Sequence, residues 1–101
     1  MDSIINNINK DFENRIRLGI MSILMVNDQV DFIHLRNLLQ VTDGNLASHI
    51  SALEKIGYLE SKKRFIGKKP NTQYSATKEG KDAFNEHLQA LEFLLKTHNH
   101  T

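Results

Sequence analysis

Cysteine is absent from the 101-residue chain, which excludes disulfides, cysteine-ligated zinc and cysteine nucleophiles together. No stretch approaches the roughly 18–20 consecutive apolar residues that span a bilayer. Met1-Asp2-Ser3 is not followed by a basic region and an apolar run, so no secretory signal is expected and the expected location is cytoplasmic. There is no glycine-rich phosphate loop, no G-x-S-x-G elbow and no carboxylate pair in a pocket-forming context, so catalysis is not expected. What remains is an ordinary globular composition, 40% hydrophobic and 25% charged, at a length that suits one domain with one modest core.

Net charge is only +1, and its distribution says more than its size. Residues 1–50 carry more acids than bases, and residues 51–101 the reverse. Between positions 61 and 78 stand Lys62, Lys63, Arg64, Lys68, Lys69 and Lys78 with no acid among them. A basic stripe in a near-neutral chain predicts a directed contact with an anionic partner.

The hydrophobic pattern divides the chain. Ile4, Ile5, Ile8 and Phe12 have near-helical spacing weakened by asparagines, so residues 1–13 read as a loose arm or helix start, placed to pack on a partner subunit. From Glu13, Ile16, Ile20, Met21, Leu24 and Met25 recur at three- and four-residue steps, predicting a helix to about Asn27-Asp28. Gln29–Phe32 is long enough only for a connector or one edge strand. Ile33–Leu39 reads as a two-turn helix broken at Gln40-Val41-Thr42. Thr42 suits the N-cap of the next helix, Asp43 suits its positive end, and Gly57 its left-handed stop. That helix buries Leu46, Ile50 and Leu53. A strand follows through Ile66, then a loop over Gly67-Lys68-Lys69-Pro70-Asn71-Thr72, and a return strand Gln73–Ala76. Thr77 caps a last long helix running to about Lys96.

The order is helix, short strand, helix, tight turn, helix, hairpin, helix, a mainly α arrangement with a small β-hairpin. The segments Arg17–Leu24, Thr42–Ile50, Leu53–Tyr58 and Lys69–Gly80 together resemble the small winged helix-turn-helix regulators related to the MarR and ArsR groups. Thr42-Asp43-Gly44-Asn45-Leu46 with His49 matches the recognition helix, and the P-x-T-x-Y run Pro70–Tyr74 the wing. Each motif alone is weak, but four in order, spanning roughly residues 14–95, are specific. The two ends depart from the pattern. The resemblance implies a homodimeric transcriptional regulator with a winged helix-turn-helix core over residues 14–77. It also implies a long C-terminal helix for dimerisation within residues 78–101.

If Leu46, Ile50 and Leu53 face inward, the 100° helical step turns Gly44, Asn45, Ser48, His49, Ser51, Ala52 and Lys55 outward or to the flanks. Asn45 can pair with adenine, Ser48 with either base class, and Ala52 with a thymine methyl. His49 can donate to a base or phosphate, Gly44 lets the helix start approach the backbone closely, and Thr42 at the cap is also an expected DNA contact. On the hairpin, Lys62, Arg64, Lys68, Lys69 and Thr72 are the expected DNA contacts. Alternation puts Lys62 and Arg64 on one face and Lys63 on the other. In the last helix Phe84, Leu88, Leu91 and Leu95 follow four-three-four spacing, a seam for a second copy, beside a stripe of Ala83, Ala90 and Leu94. His34, His87, His98 and His100 do not converge with carboxylates, so no metal is expected, and no cofactor. The expected partners are double-stranded DNA, a second copy, and an unidentified small-molecule effector. The expected function is sequence-specific transcriptional repression. The competing expectation is a winged helix that docks on protein without binding DNA, which fold cannot exclude.

Overall fold

The computed structural model describes residues 4–97; His98 and His100 lie outside them. Two short 3-10 turns, Ile4–Asn7 and Lys10–Phe12, precede α1 (Arg15–Val26), β1 (Val30–Asp31), α2 (Phe32–Leu39) and α3 (Asp43–Lys55). The hairpin β2 (Leu59–Ile66) and β3 (Lys69–Ala76) leads into α4 (Lys78–Thr97). The sheet is antiparallel in the order β1-β3-β2. β1 pairs only Val30 with Tyr74 and Asp31 with Gln73, the short edge strand that the connector allowed.

Each helix boundary has a local chemical cause. Asn14 caps α1 by accepting from the amides of Ile16 and Arg17, and Asp31 caps α2 by accepting from His34. α2 stops at Gln40, which takes the left-handed conformation with φ of 56° and donates its amide to the Arg36 carbonyl. Thr42 caps α3 through its hydroxyl, which accepts from the Asn45 amide. At the far end Gly57, with φ of 87°, donates to Glu54 while Tyr58 donates to Leu53. That double closure satisfies two orphan carbonyls and requires a residue at ease in the left-handed region.

One core gathers residues from every part. Phe12, Ile20, Met21, Leu24, Val30, Leu35, Leu46, Ile50, Leu53, Leu59 and Phe84 are all buried in it. Through Phe12, the described part of the segment expected as a loose arm or helix start, residues 4–13, packs on its own domain. The Phe12 ring lies 5.5 Å from Tyr58, 5.2 Å from Phe84 and 5.4 Å from His87. The segment is therefore pinned to this domain's own α4. Asn9 reinforces the pin, donating its amide to His87 Nδ1 and its side-chain nitrogen to the Tyr58 hydroxyl.

The hairpin differs from expectation at its tip. Ile66 pairs with Lys69, so the turn is only Gly67-Lys68, and Pro70, Asn71 and Thr72 belong to β3. Gly67 has φ of 64° and Lys68 does not, which is the type II′ pattern matched to strand twist. Pro70 is tolerated there because it opposes Phe65, one pair from the turn, where a two-residue hairpin leaves the amide pointing outward. Thr77 then joins hairpin to helix: its amide donates to Tyr58, its hydroxyl donates to Gly57, and the same oxygen accepts from Gly80. Gly80 lies so close to Tyr58 that a Cβ there would collide with the Tyr58 carbonyl oxygen.

Candidate nucleic-acid interface

α2, the turn at Gln40 and α3 form the helix-turn-helix, and its geometry is locked from both sides. Arg36 of α2 donates through Nη1 to the Asp43 carboxylate at 3.0 Å. Ser61 of β2 donates to the Glu54 carboxylate at 2.6 Å. The two acids that would lower the positive potential of the recognition helix are thus each engaged by a neighbouring element. The Tyr74 hydroxyl is pushed up from its ordinary pKa by burial and by Glu54, so it stays neutral at the wing's base.

Leu46, Ile50 and Leu53 hold α3 to the core. Thr42, Gly44, Asn45 and Ser48 are exposed, together with Ser51 and Lys55. His49 and Ala52 are half-buried on one flank, in a row with Asn45 at helical four- and three-residue steps. The face that α3 offers is therefore built of small side chains and polar groups, shaped to approach a groove closely. The imidazole of His49 is not loose. Arg17 of α1 donates through Nε to its Nδ1 at 3.1 Å, and burial, then the Arg17 charge, lower its pKa.

On the wing, the register pairs Lys62 with Gln73, Lys63 with Thr72 and Arg64 with Asn71. Lys62 and Arg64 lie on one face of the ribbon with Lys69, and Lys63 lies on the opposite face with Thr72. Lys68 sits in the turn itself, and the whole of β2 beyond Leu59 is exposed. The structure thus brings the residues expected on α3 and those on the hairpin to neighbouring elements joined at Glu54 and Ser61.

Sequence reasoning missed two features of this side. Arg17 has no assigned role in the sequence reading, and no local spacing links it to His49, 32 residues on. Phe65 and Ile66 were legible as an apolar pair inside a basic stretch, and they emerge 73% and 57% exposed at the wing tip.

The expected dimer seam divides. Phe84 is 5% exposed and belongs to the domain's own core, a correction to its place in the seam. Leu88, Leu91 and Leu95 continue the same helical stripe beyond the end of that core and are 45%, 39% and 76% exposed. Between the N-terminal segment and α4 runs an open groove of about 1040 Å³, lined in part by Asn6, Asn9, Asp11, Glu86 and Gln89. Among the described residues no group of three or more metal-ligating side chains converges, and no helix is long and apolar enough to cross a membrane.

A helix-turn-helix whose recognition helix is braced by a basic two-stranded ribbon defines the winged-helix class of DNA-binding proteins. Residues 16–95 match the family model described as a winged helix DNA-binding domain, and the chain belongs to that family. An uncharacterised protein of Methanocaldococcus jannaschii is 33% identical over 79 residues, covering 78% of this chain and 86% of its own. Among solved structures, a transcriptional regulator homologue from Pyrococcus horikoshii superposes with a TM-score of 0.83 at 29% identity. That likeness covers 96% of this chain and 94% of the other. A candidate transcriptional regulator from Salmonella typhimurium gives 0.68 at 24% identity over 87% and 79% of the two chains, a likeness of fold. The family and fold are those of DNA-binding transcriptional regulators and not of enzymes.

Proposed function

We propose that the protein is a sequence-specific transcriptional regulator that binds double-stranded DNA as a homodimer and represses by occupying its operator. The observation that carries this reading is the make-up of the α3 face. Asn45, Ser48 and His49 supply donors and acceptors, Gly44 and Ala52 leave room, and Asp43 and Glu54 are held by Arg36 and Ser61. Lys62, Arg64, Lys68, Lys69 and Thr72 on the adjoining ribbon supply phosphate contacts.

Leu88, Leu91 and Leu95 support a two-fold contact between copies, since the stripe that buries Phe84 runs on with only partial cover from its own domain. Two copies related by a two-fold axis place their recognition helices about one DNA turn apart, which calls for a near-palindromic site. The groove between the N-terminal segment and α4 is the place where a small-molecule effector would sit. A solved neighbour of the same fold, NadR, is in complex with 4-hydroxyphenylacetate.

Selection from random duplex pools at about 50 and about 200 mM salt tests the reading. Enrichment of a two-fold symmetric motif supports it. Salt-sensitive binding without a motif reduces the function to phosphate attraction. Failure to bind favours the alternative of protein docking, which the exposed Phe65 and Ile66 at the wing tip would serve.

A further inference from the structure

The recognition helix carries one side chain whose hydrogen-bonding state is set from outside the helix. His49 is half-buried, and its Nδ1 accepts from Arg17 Nε at 3.1 Å. An imidazole nitrogen that accepts carries no proton, so the neutral ring must bear its proton on Nε2. Arg17 is itself held at its other end. Its Nη1 lies 3.5 Å from Asp11 Oδ1, and its amide is fixed by the Asn14 cap. Asp11 in turn belongs to the turn that Phe12 anchors in the core. The guanidinium thus meets His49 and Asp11 together, on a side chain only 26% exposed.

We propose that Arg17 is a specificity-determining positioning residue, which fixes His49 as a pure Nε2–H donor toward a hydrogen-bond acceptor on a base edge of the major groove. The proposal rests on the DNA-binding reading above and deepens it. Free histidine samples both tautomers and can present either a donor or an acceptor. Locked by Arg17, it presents only a donor. In the major groove guanine offers N7 and O6, adenine N7, and thymine O4 as acceptors, whereas cytosine offers the N4 donor. The base opposite His49 is therefore guanine, adenine or thymine, and cytosine is rejected. Asn45 and Ala52, in the same row as His49, read the neighbouring positions. Arg17 need not touch the base, and its role is exerted through the ring it holds.

The test pairs a spectroscopic readout without DNA with a binding cycle. Long-range proton–nitrogen spectra of the imidazole in the full chain should show His49 with Nδ1 unprotonated and Nε2 protonated. In Arg17→Ala the tautomers should mix and the pKa should move up toward the ordinary histidine value. The double cycle Arg17→Ala, His49→Ala and both is then read on the selected site and on its single-base variants. Wild type should bind the cytosine variant at the His49 position about tenfold more weakly than the selected base. Either single substitution should shrink that ratio to within about twofold, and the double variant should shrink it no further. Arg17→Lys keeps the charge but loses the planar Nε–H, so it should lose the base preference while retaining most of the overall affinity.

A wild-type ring protonated on Nδ1, or a base preference unchanged in Arg17→Ala, overturns the assignment. So does equal weakening on every sequence with a salt slope reduced by about one, which would make Arg17 a phosphate clamp. Absence of any enriched motif for the wild type removes the DNA-binding reading and this assignment together. An intact motif without Arg17–His49 coupling removes this assignment alone.

Discussion

α3 and α4 are both amphipathic helices packed on the same core, yet they leave opposite things in water. α3 hides Leu46, Ile50 and Leu53 and shows Gly44, Asn45, Ser48, Ser51 and Lys55. α4 hides Phe84, His87 and Ala90 and shows Leu88, Leu91 and Leu95. An exposed face of small polar groups costs little to leave solvated and can exchange water for another polar surface. An exposed apolar stripe is disfavoured in water and is relieved by a second apolar surface. The difference is what the proposed function draws on: the α3 face suits a polar polymer, and the α4 stripe suits a second apolar surface.

The largest expected effect comes from damaging the side that the two helices share. Leu46→Ala empties a fully buried site and should lower unfolding stability by about 2–5 kcal/mol, a large fraction of what a small domain has. Denaturant midpoints would measure it, and a loss well under ~1 kcal/mol would mean that α3 is held mainly by its caps. Leu88→Glu with Leu91→Glu touches α4's outer face instead. It should convert dimer to monomer in sedimentation while leaving the monomer folded. A stable dimer would sink the proposed seam, and an unfolded monomer would show that the exposed leucines matter to the fold as well.

On the α3 side, Lys68→Ala with Lys69→Ala should weaken DNA binding and reduce the slope of log affinity against log salt by about two. Titrations at several salt concentrations decide it; an unchanged slope would take the wing tip off the phosphates. The fold itself should be indifferent, since both lysines are exposed and neither forms an ion pair among the described residues.

Much of this comparison was legible in the sequence, and the failures have identifiable causes. The three inward residues of α3, its Thr42 cap and its Gly57 stop follow from periodicity and local hydrogen-bond chemistry, which operate within one helix. Phe84 was grouped with Leu88, Leu91 and Leu95 because all four share one stripe. Where the core ends along that stripe depends on Phe12 and Tyr58, residues far away in the chain. The loop expected at residues 67–72 was too long because Pro70 reads as a turn residue. Its lost donor is harmless in the strand, at a pair whose amide faces outward. Arg17 was invisible as a partner of His49 because the contact joins α1 to α3 through tertiary packing, and no rule of spacing reports it.

A subtler difference between the helices lies in their histidines. Both are held at Nδ1 by a donor, His49 by Arg17 and His87 by the Asn9 amide. Burial lowers the pKa of each, reinforced at His49 by the Arg17 charge and opposed at His87 by Glu13. A base whose folded pKa lies below its unfolded value takes up fewer protons folded than unfolded. Stability is therefore undiminished above the ordinary histidine range and falls as pH drops through about 6.5. Urea unfolding between about pH 7.5 and about pH 5.5 should show that decline. His87→Gln, which keeps an acceptor for Asn9, should flatten the decline, and the slope that remains should belong to His49. An unchanged slope in His87→Gln would mean that Glu13 offsets burial in full, and that the N-terminal segment stays docked on α4 across this range.

The smallest effect tests the hinge between α2 and α3. Gln40 takes a left-handed φ of 56°, where its Cβ is crowded by the backbone, and it is the one such non-glycine among the described residues. Its side-chain nitrogen donates to the Asn37 carbonyl, a local bond that offsets part of the strain. Gln40→Gly removes both the strain and the bond, and it loosens the unfolded chain as well. The balance should be a gain of no more than about 1 kcal/mol in thermal unfolding. DNA affinity distinguishes two roles for the turn. If Arg36–Asp43 alone sets the angle of α3, affinity is unchanged; if Gln40 sets it, affinity falls although the protein is more stable. The salt bridge spans the turn directly at 3.0 Å, so unchanged affinity is the expected result.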